Sequence, residues 1–281
     1  MKGYDTLITR KNPSLFMFML DCSASMSERI VYNGVMMSKM EALGRIINTS
    51  LEEIKSRCRR EDGYYDYFGL SVLGYGNDNV ESLFDRLFPG KSIVSINDIA
   101  HADVPKVTYE TIRLYQGRTI SSHVTVPELI CPFSCGNTPM GIALAEAYDT
   151  VEEWIAAHPD SFPPVIFNIT DGECTDVPDT ILLSVSERIK SLATSAGNVL
   201  LFNVHLSTDD SGRGIIFPYF KEKLAADDRT AALLFDMSSD LPESFVPAEG
   251  DRRAKAMSYN SSMSELVKMI NIGSVSVNNI L

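Results

Sequence analysis

One compact apolar run constrains this chain most: Leu15-Phe16-Met17-Phe18-Met19-Leu20, which breaks directly into Asp21-Cys22-Ser23-Ala24-Ser25. Six apolar residues without alternation read as a strand buried on both faces, emerging into a polar loop. In an extended loop alternate residues point the same way. Asp21, Ser23 and Ser25 therefore place one carboxylate and two small hydroxyls toward one point. These are hard oxygen donors, suited to Mg²⁺, Mn²⁺ or Ca²⁺.

The rest of the chain repeats the strand-then-helix rhythm. A polar loop is expected over 21–34 and a helix over 38–57, with Met40, Leu43, Ile46, Ile47, Leu51 and Ile54 at helical spacing. Residues 66–75 read as a second strand closed by Gly76-Asn77-Asp78. Pro139 opens a helix over 140–157. Residues 164–170 are a third strand ending at Asp171-Gly172, and Pro178 opens a helix over 179–195. Strand 199–206, a short helix near 219–226, a last strand over 232–235 and a terminal helix over 263–270 follow. Between 78 and 135, β-branched pieces at 92–96, 107–114 and 122–126 predict an irregular insertion with one or two hairpins and an edge strand. This alternation predicts an α/β fold: a Rossmann-like, mostly parallel central sheet with helices on both faces. We expect a single domain over 1–281, with the insertion at 78–135 and a C-terminal extension at 237–281. In such sheets ligands bind beyond the carboxyl ends of the strands, which is where Asp21 and Asp171 fall.

A formal net charge of −12 and a pI near 4.8 argue against nucleic-acid or anionic-membrane partners. The one basic cluster, Arg57-Cys58-Arg59-Arg60, suits a helix C-terminus. No apolar run is long enough to span a bilayer, and the run at 15–20 lacks signal-peptide features. With five cysteines, an odd number, the expectation is a cytoplasmic protein with reduced thiols. Cys131-x₃-Cys135, with His101 and His123 as further donors, has zinc-like spacing but no second cysteine pair. His158 is expected to cap the helix over 140–157, and His205 to sit half-buried in a strand.

Three separated pieces carry a family resemblance: 18–26 (Phe-Met-Leu-Asp-Cys-Ser-Ala-Ser-Met), 136–144 (Gly-Asn-Thr-Pro-Met-Gly-Ile-Ala-Leu) and 168–176 (Asn-Ile-Thr-Asp-Gly-Glu-Cys-Thr-Asp). In this order they resemble the metal-ion-dependent adhesion site of von Willebrand factor A domains, over roughly residues 13–236. The resemblance is nearest to intracellular bacterial members. It implies that Ser23 and Ser25 ligate the ion, that Thr138 binds directly or through water, and that Asp21 and Asp171 act mainly through water. An ion held by so few carboxylates keeps a position open for a partner's Asp or Glu. Ala24 replaces a common Gly, Cys22 a common Thr and Cys174 a common Pro. None of the three changes removes an oxygen donor. The tail is similar to bacterial proteins found beside Ser/Thr kinases and PP2C-like phosphatases in tellurite-resistance or stress clusters. That likeness implies a kinase, phosphatase or ATPase-system partner.

The leading expectation is therefore a non-enzymatic, metal-dependent protein-interaction module. The alternatives are a metal-assisted hydrolase using the same oxygens and a structural adaptor with a non-functional metal site. Ser23 stands where a dehalogenase-type phosphatase needs its second Asp, and neither a Gly-x-Ser-x-Gly elbow nor a Walker loop occurs.

Overall fold

A computed structural model describes residues 4, 6–115, 118–207, 214–221, 224, 228–246 and 254–273. β1 (Ser14–Asp21) leads into a 3-10 turn (Ala24–Ser27), the hairpin β2 (Arg29–Tyr32) and β3 (Val35–Ser38), and α1 (Lys39–Arg57). The small hairpin β4 (Arg59–Arg60) and β5 (Gly63–Tyr64) precedes β6 (Phe68–Gly76), β7 (Asn79–Ser82), β8 (Val94–Ser95) and α2 (Ile96–His101). A long hairpin, β9 (Lys106–Tyr115) and β10 (Arg118–Pro127), leads toward α3 (Met140–Ala157) and β11 (Val165–Thr170). Then come α4 (Asp179–Ser191), the hairpin β12 (Ala193–Thr194) and β13 (Gly197–Asn198), and β14 (Leu200–Leu206). The described residues end with β15 (Ile215–Ile216), α5 (Arg229–Met237), β16 (Met257–Ser261) and α6 (Met263–Gly273).

The central sheet has the order β15-β16-β14-β11-β1-β6-β7, with β8 also pairing β6. Every pair from β16 through β6 is parallel; the edge strands β15, β7 and β8 are antiparallel. The two-residue period of β1 divides the core. Phe16, Phe18 and Leu20 join the cluster that includes α1 and α6, whereas Leu15, Met17 and Met19 join the one that includes α3, α4 and α5. Phe18, Phe167 and Phe202 stack across three neighbouring strands with ring centroids 5.4 and 4.9 Å apart. Each such contact adds about 0.5–1.5 kcal/mol beyond burial.

β1 and β11 are neighbours in register, Leu20 opposite Ile169, so Asp21 and Asp171 emerge side by side at one rim. α1 starts there because Ser38 and Glu41 form a reciprocal capping box. Its apolar stripe, including Leu43, Ile47 and Leu51, then lies against the sheet.

The expectations at 15–20, 38–57, 66–75, 140–157 and 164–170 match elements to within two residues at each end. The insertion contains one hairpin over the pieces at 107–114 and 122–126, and the piece at 92–96 holds the edge strand β8. Four expectations need correction. Residues 21–34 are not a plain loop, because residues 24–27 form a 3-10 turn and 29–32 pair with 35–38. The helix after Pro178 stops at Ser191, where the 193–198 hairpin begins. Residues 232–235 are helical within α5: Asp228 accepts the Ala231 N–H as N-cap, and the buried positions Ala231, Leu234, Phe235 and Met237 follow a helical period. The last strand of the sheet is instead Met257–Ser261, inside the expected C-terminal extension. The expected short helix near 219–226 falls partly outside the described residues.

Candidate functional site

The rim is built from three loops. At the end of β1, Asp21 is buried: its Oδ1 accepts the Ser23 N–H at 2.9 Å, and its Oδ2 accepts the Thr170 hydroxyl at 2.6 Å. Burial pushes the Asp21 carboxyl above the usual range, while the Thr170 and Ser23 bonds pull it back. Ser23 Oγ lies 2.9 Å from Ser25 Oγ, and Ser25 donates to Asp171 Oδ1 at 2.6 Å. Ser25 is exposed, so the cluster opens to solvent. Thr138 Oγ1 and Ser25 Oγ both face Gly172, at 3.8 and 3.9 Å from where a Cβ on that glycine would stand.

The Thr138 loop is held by the loop after β11. Thr175 Oγ1 accepts the Thr138 N–H at 3.0 Å, and the Thr175 N–H donates to the Thr138 carbonyl at 3.0 Å. Asp176 accepts the second and third amides of α3, Gly141 at 3.0 Å and Ile142 at 2.9 Å. Partial burial opposes ionisation of Asp176, but bonds from the Cys174 thiol and those two amides win and hold its carboxyl below the usual range. The Asp21 loop is tied in as well, through Cys135 N–H to Cys22 C=O at 2.7 Å and Ala24 N–H to Gly136 C=O at 3.0 Å.

Asp21, Ser23, Ser25, Thr138 and Asp171 therefore sit together at one strand-end rim. Their donor set fits a small hard cation. An octahedral ion with ligands at about 2.0–2.1 Å needs neighbouring oxygens about 2.9 Å apart, which is the Ser23–Ser25 spacing. Among the described residues no three His, Cys, Asp or Glu side chains group to hold a metal, so any ion here depends on the hydroxyls. That finding also gives no support to zinc at Cys131 and Cys135. Of the four donors weighed for it, Cys131 is exposed, His101 Nδ1 contacts Asn97 C=O, and His123 lies on the exposed hairpin.

Several participants escaped the sequence reading. Lys39 is buried, with Nζ 2.5 Å from Asp171 Oδ2 and 2.8 Å from Glu28 Oε2. The available signal was a lysine at the first position of a capping-box helix, where the helix dipole disfavours positive charge. Thr170, Thr175 and Asp176 belong to the 168–176 segment, where the resemblance implies a role for Asp171 alone.

No family model matches the chain, and no curated protein matches it by sequence. Among solved structures it is similar to a von Willebrand factor type A protein from Catenulispora acidiphila (13% identity, 70% of this chain and 34% of that one, TM-score 0.40). It is also similar to the SpRpn10 VWA domain (12%, 69% and 75%, TM-score 0.39). A third likeness is to the vWF domain of the type V pili tip protein Mfa5 from Porphyromonas gingivalis (8%, 96% and 97%, TM-score 0.46). The chain spans about a third of the length of the first of these.

Proposed function

We propose that this chain is a metal-dependent protein-interaction module of the von Willebrand factor A type. A divalent ion, Mg²⁺ or Mn²⁺ or Ca²⁺, would be held at the rim by Ser23, Ser25 and Thr138. Asp21 and Asp171 would act through water and hydrogen bonds. The observation that carries the reading is the run of contacts Ser23 Oγ–Ser25 Oγ–Asp171 Oδ1, which joins two loops 146 residues apart at the open end of the parallel sheet. Such an ion would supply an electrophilic position for a partner's Asp or Glu, despite the acidic surface around it. Ser25 opens that position to solvent, and exposed Phe133 and Ile142 flank the Thr138 segment in sequence.

We read no reaction into the site. Asp21 accepts bonds from Thr170 and Ser23, and Asp171 from Ser25 and Lys39, so both carboxylates serve to tie the rim loops together. The tail resemblance supports a component of a bacterial kinase, phosphatase or ATPase system as partner, in a stress or tellurite-resistance setting. Five unpaired cysteines support a reducing, cytoplasmic location. No helix among the described residues is long and apolar enough to cross a membrane.

One observation favours a second reading, a structural adaptor whose site holds no metal: the Lys39 ammonium already neutralises Asp171 from inside. The two separate in a capture experiment with the immobilised protein and Glu-containing peptides. Retention in Mn²⁺ that is lost with a chelator, and lost when Gln replaces Glu in the peptide, supports the module. Retention indifferent to chelator supports the adaptor.

A further inference from the structure

We propose that Lys39 is a resident counter-cation of the rim site, competing with a divalent ion for the Asp171 carboxylate and keeping that ion's affinity low. This rests on the metal reading above and concerns how the site is regulated.

The Lys39 side chain is 1% exposed and the Asp171 side chain is fully buried; their charged atoms are 2.5 Å apart. Lysine is almost never buried unless paired, and here it has two carboxylate partners, Asp171 inside and the half-exposed Glu28 outside. The helix does not account for this cation, because the first position of α1 is where its dipole opposes positive charge. The backbone around it is fixed. The Lys39 N–H donates to Glu28 C=O at 2.9 Å, and Ser38 and Glu41 lock the helix start.

Two consequences follow from charge and geometry. Asp21 and Asp171 bring two negative charges to the rim, and Lys39 offsets one of them beside the Ser25–Asp171 contact. An arriving dication meets an ammonium already seated on the carboxylate that would order its waters. At such distances, partly out of water, that repulsion is substantial. Conversely, Asp171 is neutralised from within, so the Asp21 and Asp171 loops keep their geometry without help from a divalent ion. The metal then acts as a reversible addition to a preset site rather than as the element that folds it.

The test compares wild type with Lys39→Met, Lys39→Gln and Lys39→Arg, using Mn²⁺ alone as the probe in calorimetric titrations and in thermal melts with and without chelator. Lys39→Gln keeps a hydrogen-bond donor for Asp171 without the charge, which guards against a misfolded Lys39→Met. We expect Lys39→Met and Lys39→Gln to bind Mn²⁺ at least about tenfold more tightly than wild type. Lys39→Arg should stay within about threefold of wild type. In chelator the two neutral variants melt below wild type, and Mn²⁺ raises their Tm by more. A purely structural role for Lys39 would move the chelator melts but not the tightening. Equal or weaker Mn²⁺ binding in the neutral variants overturns the counter-cation inference while leaving the metal reading intact. Absence of Mn²⁺ binding in wild type and all three variants overturns the metal reading and the inference together.

Discussion

Asn168, buried in the middle of β11, joins two polar groups that have no access to water. Tyr75 O–H donates to its Oδ1 at 2.8 Å, and its Nδ2 donates to Asn203 Oδ1 at 3.0 Å. Asn203 in turn reaches Ser238, whose hydroxyl donates to the Leu234 carbonyl. A single polar line thus crosses the sheet beneath the rim from β6 through β11 and β14 to the end of α5. Asn168→Leu keeps the approximate volume, strands the Asn203 side-chain carbonyl and leaves the Tyr75 hydroxyl with Thr170 alone. The stranded carbonyl costs about 1–3 kcal/mol and the lost Tyr75 bond about 0.5–1.5 kcal/mol, so the variant should lose about 1.5–4.5 kcal/mol. For a chain of 281 residues, 1 kcal/mol corresponds to about 1.7 °C in Tm, giving a fall of about 3–8 °C. Tyr75→Phe strands only Asn168 Oδ1 and should cost about 1–2 kcal/mol. In the double variant the Tyr–Asn bond disappears from both sides at once, so its cost should fall short of the sum by about 1–2 kcal/mol. Urea denaturation of the four proteins, followed by far-UV circular dichroism, reads that coupling. Additivity to within about 0.5 kcal/mol would refute the hydrogen-bonded line.

Other expectations follow from the same contacts. Asp176→Ala removes the cap of α3 and should cost about 1–2 kcal/mol in urea, with Asp176→Asn costing less. Gly136→Ala should destabilise by at least about 1 kcal/mol, because Gly136 has φ +70° and an added Cβ would stand 2.5 Å from Asn77 Cα; stability unchanged in urea would contradict this crowding. Burial lowers the His205 pKa below its ordinary 6.5, outweighing the raising effect of Asp171 and Asp228. Its contribution to stability is therefore present above about pH 6.5 and lost as pH falls through the lower folded value. His205→Gln should flatten that part of the pH–stability curve, and an unchanged slope would be inconsistent with this origin. Cys22 and Cys58 are buried, with thiols pushed up to about 12, whereas Cys131 is exposed. Alkylation at neutral pH should mark Cys131 first and reach Cys22 and Cys58 only on unfolding, as peptide mapping would show.

What was legible in the sequence was what depends on local pattern. The β1 run, the α1 stripe and the Pro139 helix start each announce themselves within about twenty residues, and their order implied the parallel sheet. Residues 232–235 misled because four apolar residues suit a strand or a helix equally. The deciding feature was Asp228 as N-cap, four positions upstream. Strand β16 was missed because its sequence, Met-Ser-Tyr-Asn-Ser, is half polar. Ser258 and Ser261 bond each other within the fold, which a linear reading does not reveal. At the rim the hydroxyls and acids were visible as motifs. Lys39 was not, since its role depends on a carboxylate 132 residues away.

In the proposed module the rim hydroxyls hold a divalent ion whose water Asp171 orders. The most direct test of this is the thermal shift on Mn²⁺ or Mg²⁺ addition in wild type and in Ser23→Ala/Asp171→Ala. At an ion concentration about 100 times the Kd, wild type should gain about 2.7 kcal/mol, or about 4–5 °C in Tm, and the double variant none of it. No shift in wild type, or the same shift in both proteins, would contradict the account.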